Sequence, residues 1–486
     1  MLLSITQSKI ICTLGPSCHT PEQIRRLADI GMDCTRINFS HGSAEDKKKL
    51  FDNVRKADDR LAILCDIQGP KIRIGNVESP GVHLKQDETI IVTTDQIEGN
   101  KDRVSISYEK LPEEANIGDL IYINDGLVCL KVKEIDQNNL TCDIVTGGFI
   151  STKKGVNLPS TKISLTVPTE KDVEDLKIIA KLDPEYIAVS FVNDERDILT
   201  IRQILADAGN SHIKIIAKIE RPFALENFDK ILAVSDGVMV ARGDLGVEIP
   251  AEEVLPVQKS LIKKCNIAGK PVIVATQMLE SMTHAPTPTR AEVSDVFNAI
   301  ADGADAVMLS AETASGKYPE KAVTMMERII RSAENHMPHK DPEELDSSKR
   351  THSELIGHLV FSTCKDFSAH STGKIICLTR SGYSSRMISK YRPYFAIFGI
   401  TDNPRYAREM RINWGVEPVV IKELEDATSN IHRIKLSAEE CYRRNFIGED
   451  DKIIVTGNNL FNFQQETNML CIYDLKDLLE NLDNMF

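Results

Sequence analysis

The segment LAILCDIQGPKIRIG, residues 61–75, joins two different kinds of structure. Its first part, LAILCDIQG (61–69), is apolar up to Asp66 and predicts a buried strand that ends in a Gly-Pro turn. In its second part Lys71 and Arg73 are two residues apart, so in an extended chain they point to the same side. The first part belongs to a series of similar runs, and that series decides the fold class.

Seven further apolar, β-branched runs occur, and an amphipathic stretch follows each. They are KIICTLG (9–15), CTRINFS (34–40), YIAVSFV (186–192), KIIAKIE (214–220), GVMVARGDLG (237–246), KPVIVATQM (270–278) and DAVMLSAET (305–313). Helix-start signals such as Thr20-Pro21-Glu22 and Ser43-Ala44-Glu45 lie between the runs. Eight βα units with nearly continuous apolar strands predict an α/β protein with a parallel (β/α)8 barrel. A doubly wound sheet is the alternative, but regular units ending at residue 336 favour closure.

About a hundred residues with β character separate the third strand from its helix. Their runs are ETIIVTTD, RVSISY, DLIYIN, LVCLKVKEI and LTCDIVTGG, and Asn124-Asp125-Gly126 is a hairpin-turn signal between two of them. Residues 72–166 are therefore predicted to form a small β domain on a βα loop, at the mouth of the barrel. An insertion at this place can close over a ligand; a passive ornament is the alternative.

A polar, Pro-containing stretch, HKDPEELDSSKR (339–350), is typical of a linker. The runs KIICLTR, FAIFGIT, EPVVIKE, DKIIVTG and NMLCIYD follow it and alternate with helical stretches, which predicts a separate α/β domain. The predicted domains are the barrel (1–71 and 167–338), the inserted β domain (72–166) and the C-terminal domain (339–486).

Composition narrows the function classes. The chain has 486 residues and a net charge of −13, which argues against a nucleic-acid or membrane-surface partner. No apolar run approaches the roughly 20 residues of a membrane span, and the apolar patch at the N-terminus is too short for a signal peptide. The 11 cysteines include no C-x-x-C pair, so we expect reduced thiols and a cytoplasmic protein.

Polar and charged residues collect at the ends of the predicted strands, where barrel active sites lie. They are Arg36, Asn38 and Ser40 in the second run, with His41 just beyond it, Asp66 in the third, Lys218 and Glu220 in the fifth, Arg242 and Asp244 in the sixth, Thr276 in the seventh, and Ser310 and Glu312 in the eighth. Unpaired buried charges are costly, so this collection predicts a functional rim; a structural salt-bridge network is the alternative.

Two kinds of group at this rim indicate the chemistry. Glu220 and Asp244 offer hard carboxylate oxygens without a nearby His or Cys, which suits Mg²⁺ or Mn²⁺. The cations Lys218, Arg36 and Arg73, with Lys71, suit a phosphorylated anion. A metal and cations without a nucleophile–base pair are typical of phosphoryl transfer. The residues alone therefore predict a metal-dependent barrel enzyme for a phosphorylated or carboxylated small molecule.

The sequence also resembles the pyruvate kinase family along essentially its whole length. The matching strings are KIICTLGPS (9–17), TRINFSHG (35–42), KGVNLP (154–159), KIERP (218–222), MVARGDLGVEIP (239–250), ATQMLESM (275–282), PTRAEVSDV (288–296) and MLSAETASGKYP (308–319). The resemblance implies a barrel with a β-barrel lid inserted after the third strand and a C-terminal regulatory domain. It also implies phosphoryl transfer from phosphoenolpyruvate to ADP, giving pyruvate and ATP in glycolysis, by a homotetramer.

The resemblance assigns roles at the metal and the phosphate. Glu220 and Asp244 match the Mg²⁺ ligands, and Lys218 matches the lysine that neutralises the transferring phosphoryl group and the developing enolate. Arg36 and Arg73 match phosphate contacts.

Further matches concern the substrate and the nucleotide, whose own Mg²⁺ supplies a second metal. The backbone of Ala241, Arg242 and Gly243 matches the cradle of the substrate carboxylate, Thr276 and Ser310 match the relay that protonates the enolate, and Asn38, His41 and Pro16 match positions near the nucleotide.

A monovalent cation site is implied for K⁺-dependent members at positions matching Asn38, Ser40, Asp66 and the carbonyl of Ile67. In those members a Glu matches Lys71, whereas this chain resembles the K⁺-independent branch. A lysine ammonium beside Arg73 can supply the charge that K⁺ would add. We therefore expect no K⁺ requirement.

The loop LTRSGYSSRMISKYRP (378–393) resembles the family's effector-phosphate loop. Its anion-binding groups are expected on Thr379, Arg380, Ser381, Gly382 and Ser384. The stretch TGNNLFNFQQETNM (456–469) lacks the Trp or Arg of members activated by a sugar bisphosphate. An effector with one phosphate, a sugar monophosphate or AMP, is therefore expected.

Two other function classes fit the sequence less well. A Mg²⁺-dependent barrel lyase that makes or breaks C–C bonds at an oxoacid enolate explains the metal ligands, but not cations and a lid suited to a nucleotide. A non-enzymatic sensor is disfavoured because the matched reactive positions are intact.

Overall fold

A closed barrel of eight parallel strands occupies the centre of the chain. The computed structural model describes residues 6–336, 351–368, 371–427, 429–458 and 466–481. Numbered in chain order, the barrel strands are β1 (Lys9–Thr13), β2 (Cys34–Asn38), β3 (Ala62–Ile67), β12 (Tyr186–Val189), β13 (Lys214–Ile219), β14 (Gly237–Ala241), β15 (Val272–Ala275) and β16 (Ala306–Leu309). Their order in the barrel is β1-β16-β15-β14-β13-β12-β3-β2. Each predicted run contains one strand, so the predicted (β/α)8 barrel is confirmed.

Helices surround the barrel and bury the outer faces of its strands. They are α1 (Pro21–Ile30), α2 (Ala44–Ala57), α4 (Glu170–Leu182), α5 (Glu195–Asp207), α6 (Pro222–Glu226), α7 (Phe228–Val234), α8 (Arg242–Glu248), α9 (Ala251–Ala268), α10 (Arg290–Asp302), α11 (Ala311–Ala314) and α12 (Pro319–His336). Thr20, Ser43 and Thr169 cap α1, α2 and α4 in reciprocal capping boxes, at the starts that the sequence predicts.

The inserted segment is a separate β domain with its own core. Its elements are β4 (Val82–Leu84), β5 (Thr89–Thr93), β6 (Arg103–Ser105), α3 (Leu111–Glu114), β7 (Leu120–Ile123), β8 (Val128–Asp136), β9 (Asn139–Thr146), β10 (Gly148–Ile150) and β11 (Val156–Asn157). Strands β7 and β8 pair antiparallel around Asn124, Asp125 and Gly126, whose φ angles are 56°, 57° and 84°. These positive angles are those of the predicted hairpin turn.

The second half of the segment 61–75 closes this domain. Six strands form a sheet in the order β11-β7-β8-β9-β5-β6, which leaves β11 and β6 at its two edges. Arg73 forms a bridge with Gly155, next to β11, and Ile74 forms a bridge with Ile106, next to β6. One short stretch therefore joins both edges, and the insertion is a small β-barrel, as predicted.

The C-terminal domain is a five-stranded sheet with helices. Its strands are β17 (Gly373–Leu378), β18 (Ile397–Thr401), β19 (Val416–Val420), β20 (Lys452–Gly457) and β21 (Met469–Asp474). Its helices are α13 (His352–Ser368), α14 (Tyr383–Ser389), α15 (Pro404–Met410), α16 (Asn430–Arg443) and α17 (Leu475–Asn481). Strand β21 is antiparallel to β20, at the edge of the order β19-β18-β17-β20-β21. The α/β class predicted for this domain is confirmed.

The predicted linker, 339–350, lies outside the described residues. The exact limits predicted for the three domains remain predictions. Within the described residues, no helix combines the length and the apolar character needed to span a membrane.

Candidate active site

A buried carboxylate, Asp66, lies at the centre of the polar groups at one end of the barrel. It is the last residue but one of β3, and its side chain is almost fully buried. Arg36 Nε, from β2, donates to Asp66 Oδ2 at 2.7 Å, and Lys218 Nζ, from β13, lies 3.4 Å from Asp66 Oδ1. Three strands thus bring one anion and two cations together, as expected from the strand ends.

Lys218 has two further oxygen partners. Its Nζ atom donates to Ser190 Oγ at 2.7 Å and lies 3.0 Å from Glu220 Oε1. Ser190 Oγ in turn donates to Asp66 Oδ1 at 3.3 Å. Ser190 follows β12 and is absent from the residues predicted above, because a single Ser in the run YIAVSFV carries no charge signal. Its place at the end of a barrel strand is the one signal that could have identified it.

The pKa values show that the neighbouring cations outweigh the effect of burial at Asp66 but not at Glu220. Burial would raise the pKa of Asp66, but Lys218 and Arg36 outweigh it and hold that pKa below its usual range. Burial lowers the pKa of Lys218, but Asp66 and Glu220 more than reverse this effect. Burial raises the pKa of Glu220, Lys218 opposes the rise, and the charge of Asp244 adds to it. Further positive charge near Glu220 would therefore stabilise its carboxylate form.

Glu220 and Asp244 fit a divalent cation. Ile219 pairs with Val240, so Glu220 follows β13 beside the end of β14, where Asp244 lies in α8. Glu220 Oε2 accepts a hydrogen bond from the Phe191 N–H at 2.6 Å, and Asp244 Oδ1 lies 3.6 Å from Lys71 Nζ. The described residues contain no group of three or more His, Cys, Asp or Glu that could hold a metal ion. Two protein carboxylates suit Mg²⁺, which keeps several positions for water and substrate oxygens.

The ends of β14 and β15 are joined through Thr276. Its Oγ1 atom accepts from the Gly243 N–H at 2.6 Å, and its φ is 67°, a left-handed backbone. The guanidinium of Arg242 is directed to Asp295 Oδ1 at 2.6 Å and to the Thr276 carbonyl at 2.9 Å. Within the predicted segment Ala241, Arg242 and Gly243, the Gly243 N–H therefore points to Thr276, while the Arg242 side chain holds the two loops together.

Ser310 presents a buried hydroxyl at the end of β16. Its Oγ has no hydrogen-bond partner among the described residues. Its N–H donates to Glu312 Oε2 at 2.7 Å, and Glu312 Oε1 accepts from the Leu279 N–H at 3.1 Å. Glu312 thus fixes the two loops on either side of this hydroxyl. A buried hydroxyl with free bonding capacity suits a water or a substrate oxygen.

Two of the predicted cations come from the base of the inserted domain. Lys71 reaches Asp244, as described, whereas Arg73 Nη1 donates to the Lys153 carbonyl at 3.0 Å. The structure therefore places Arg73 with the lid and Lys71 with the barrel.

The positions predicted to lie near the nucleotide follow β1 and β2. Pro16 and His41 are exposed. Asn38 Oδ1 accepts from the Ser40 N–H at 2.9 Å, so two members of the predicted monovalent site are bonded to each other. The third member of the predicted monovalent site, Asp66, is paired with Arg36 and Lys218. The fourth member, Ile67, is the last residue of β3.

The predicted effector residues extend from the loop after β17 into the first turn of α14. Thr379 and Ser384 are buried, Arg380 and Ser381 are exposed, and Gly382 has a φ of 77°. Ser384 Oγ accepts from Thr467 Oγ1 at 2.5 Å. The rest of the stretch that lacks Trp and Arg, 459–465, lies outside the described residues.

The fold and the site together define a barrel enzyme with a lid, in which paired carboxylates and cations converge at the strand ends. Family models described as "Pyruvate kinase, barrel domain" and "Pyruvate kinase, alpha/beta domain" match residues 5–323 and 356–473. The chain belongs to the pyruvate kinase family, and it is a phosphotransferase.

Known relatives support this assignment over the full chain. Pyruvate kinases of Staphylococcus aureus strains MRSA252 and USA300 are each 42% identical over 481 residues, which is 98% of this chain and 81% of the relative. A crystal structure of a pyruvate kinase from Cryptosporidium parvum matches with a TM-score of 0.88 at 35% identity and covers 98% of both chains.

Proposed function

We propose that the enzyme transfers the phosphoryl group of phosphoenolpyruvate to ADP and produces pyruvate and ATP. The observation that carries this proposal is the buried group formed by Asp66, Lys218, Arg36 and Glu220 at the strand ends. Phosphoryl transfer needs positioning and charge stabilisation more than covalent chemistry. Preorganised cations beside a pair of carboxylates meet that need.

Lys218 and Arg36 are assigned to the phosphoryl group. Asp66 holds both cations through its two oxygens, at 3.4 and 2.7 Å, so they need little reorganisation when the substrate arrives. Arg73 reaches the same anion from the lid. Lys218 also stabilises the enolate oxygen that develops as the phosphoryl group leaves.

Glu220 and Asp244 are assigned as ligands of a divalent cation, Mg²⁺ or Mn²⁺. When bound, such an ion polarises the enolate and phosphoryl oxygens and neutralises their charge. The backbone from Ala241 to Gly243 is assigned to the substrate carboxylate. Asp244 then links the carboxylate cradle to the metal site.

Protonation of the enolate is assigned to Thr276 and Ser310. Thr276 Oγ1 is fixed by the Gly243 N–H, and the unpartnered Ser310 hydroxyl can hold a water. ADP is assigned to the exposed side of the site, near Pro16, Asn38 and His41, with a second Mg²⁺ carried on its phosphates.

The reaction is proposed to need no K⁺. Lys71 Nζ lies 3.6 Å from Asp244 and thus carries a permanent positive charge into the site. Within the predicted monovalent site, Asp66 already accepts from Arg36 and Ser190, and Asn38 from Ser40. These contacts support the proposal that Lys71 supplies the positive charge that K⁺ would otherwise add.

Regulation, assembly and location are also proposals. A monophosphate effector, a sugar monophosphate or AMP, is assigned to Thr379, Arg380, Ser381, Gly382 and Ser384. Membership of the family supports a homotetramer. A cytoplasmic location is supported by the cysteines, all 11 of which are free thiols.

A coupled assay tests the main proposal. Purified enzyme with phosphoenolpyruvate, ADP and Mg²⁺ should form pyruvate, measured by lactate dehydrogenase and NADH oxidation. Turnover should depend on ADP and should yield one ATP for each pyruvate. Pyruvate formed from a larger oxoacid without ADP would indicate a C–C lyase and contradict the proposal, and no turnover with either substrate would indicate a sensor.

A further inference from the structure

Arg221 is a buried cation that the proposed mechanism does not use. It follows Glu220 and precedes α6, and its residue exposure is 7%. Its Nε atom is buried and has no hydrogen-bond partner among the described residues, and Nη1 lies 3.5 Å from Asn193 Oδ1, at the limit of a hydrogen bond. The carboxylates that interact with its charge include Glu248 and the two proposed metal ligands, Glu220 and Asp244. Its position therefore points to a role in the neighbouring site.

The main contact of Arg221 is with an aromatic ring. Its guanidinium carbon lies over the ring of Phe191, 4.7 Å from the ring centroid, a cation–π contact of the kind that arginine forms well. The other contact of this ring is the Gly-Pro turn after β3. A Cβ added at Gly69 would lie 3.0 Å from Phe191 Cδ2. The ring therefore lies close to both the guanidinium and Gly69, whose lack of a side chain leaves room for it.

Phe191 is held in a strained backbone conformation. Its φ is 57°, which an aromatic residue rarely adopts. In this conformation its N–H donates to Glu220 Oε2 at 2.6 Å. Strain of this kind persists where the surroundings enforce it.

We propose that Arg221 is a positioning residue that fixes Glu220 for the divalent cation, by holding Phe191 in the conformation that donates to Oε2. This inference rests on the proposed role of Glu220 as a metal ligand. The stack orients the ring, the ring fixes the backbone, and the backbone N–H fixes one carboxylate oxygen. Oε1 is left on the Lys218 side, at 3.0 Å from Nζ.

The test measures metal binding without substrates. Mn²⁺ is titrated into the full-length protein, and free Mn²⁺ is followed by its electron paramagnetic resonance signal. Arg221→Met should weaken Mn²⁺ binding by about ten-fold, the lower range for loss of a group that orients a metal ligand. Arg221→Lys keeps the charge but not the planar stack, so it should lose nearly as much. Lysine restoring wild-type affinity would show that charge, not stacking, matters and would overturn the proposal.

Phe191→Leu tests whether Arg221 acts on Glu220 through the ring of Phe191. It keeps the backbone N–H and removes the stacking surface, so it should weaken Mn²⁺ binding to a similar extent. The double variant with Arg221→Met should bind Mn²⁺ little more weakly than either single variant, because both changes remove the same contact between the guanidinium and the ring. Fully additive losses would contradict the proposal. In the coupled assay, saturating Mn²⁺ should bring the kcat of Arg221→Met to within about three-fold of wild type, since positioning is lost and charge stabilisation is not.

A matched control is Arg392→Met. Arg392 also stacks on an aromatic ring, 5.0 Å from the centroid of Trp414, and its Nε is likewise buried without a partner. It pairs with Asp305, remote from the strand ends that form the site. Its loss should lower the melting temperature and leave Mn²⁺ affinity unchanged. Glu220→Gln separates the two hypotheses. Wild-type Mn²⁺ binding by this variant would refute the role of Glu220 as a metal ligand. Wild-type Mn²⁺ binding by Arg221→Met would refute only the positioning role of Arg221.

Discussion

Lys71 Nζ lies 3.6 Å from Asp244 Oδ1, so a lysine at the base of the inserted domain pairs with a carboxylate of the barrel. Both side chains are about one-third exposed or less, at 31% and 26%. The Lys71 ammonium thus lies beside a proposed metal ligand, and the proposal of K⁺ independence rests on this geometry.

The first prediction concerns K⁺. The wild-type enzyme should turn over with Mg²⁺ in tetramethylammonium buffer, and K⁺ should change the rate less than about three-fold. One unit charge at about 4 Å with an effective dielectric near 20 is worth about 4 kcal/mol, nearly three decades in rate. A lysine that supplies this charge should leave little for K⁺ to add. The coupled assay in both salts measures the ratio, and an enzyme inactive until K⁺ is added would refute the prediction.

The second prediction reverses the charge of that lysine. Lys71→Glu should lose most activity without K⁺, and K⁺ should restore part of it. Rescue should be partial because Ile67 and Gln68 also differ from the dependent pattern, which has Thr and Lys there. Lys131→Glu, an exposed change in the same domain, is the control and should keep its rate in either salt.

The third prediction concerns Lys218. Lys218→Met should reduce turnover by roughly a hundred- to a thousand-fold, because loss of one preorganised donor costs about 3–4 kcal/mol in the transition state. Steady-state kinetics measures the loss, and circular dichroism checks the fold. Lys214→Met removes a lysine at the opposite end of the same strand and should leave turnover nearly unchanged. A folded Lys218→Met enzyme with more than about a third of wild-type turnover would show that the assignment is wrong.

Effector specificity is the subject of the fourth prediction. At sub-saturating phosphoenolpyruvate, a sugar monophosphate or AMP should activate more than fructose 1,6-bisphosphate. The reason is that 456–469 contains no Trp or Arg for a second phosphate. Titration of each compound in the coupled assay decides the order. Strong activation by the bisphosphate alone would count against a site for one phosphate.

Much of this architecture could be predicted because it depends on patterns along the chain. Strands buried on both faces are continuous apolar runs, and charges at their ends stand out. Contacts made by backbone atoms leave no such pattern. The Phe191 N–H that binds Glu220 comes from an apolar residue 29 positions away. The Arg242 guanidinium turns to Asp295, 53 positions away, and no local signal shows this.

Glu185 joins the barrel to the C-terminal domain at the start of β12. It is fully buried and accepts from Arg55 Nη2 at 2.7 Å, from the Ile63 N–H at 2.9 Å and from Arg408 Nε. Arg408 belongs to α15 of the C-terminal domain. One carboxylate therefore neutralises two arginines from different domains.

The fifth prediction follows from that contact. Glu185→Gln should destabilise the protein by about 3–5 kcal/mol, because removing one partner of a buried ion pair leaves uncompensated charge. Unfolding in guanidinium should show this loss of free energy of unfolding in the transition in which the barrel unfolds. Glu320→Gln breaks the exposed Arg26–Glu320 pair, whose side chains are 53% and 50% exposed, and should cost less than about 1 kcal/mol. The Glu185 variant combined with Arg55→Leu and Arg408→Leu should recover part of the stability, since the charges left behind are then removed. Equal effects of Glu185→Gln and Glu320→Gln would show that this buried contact does not hold the two domains together.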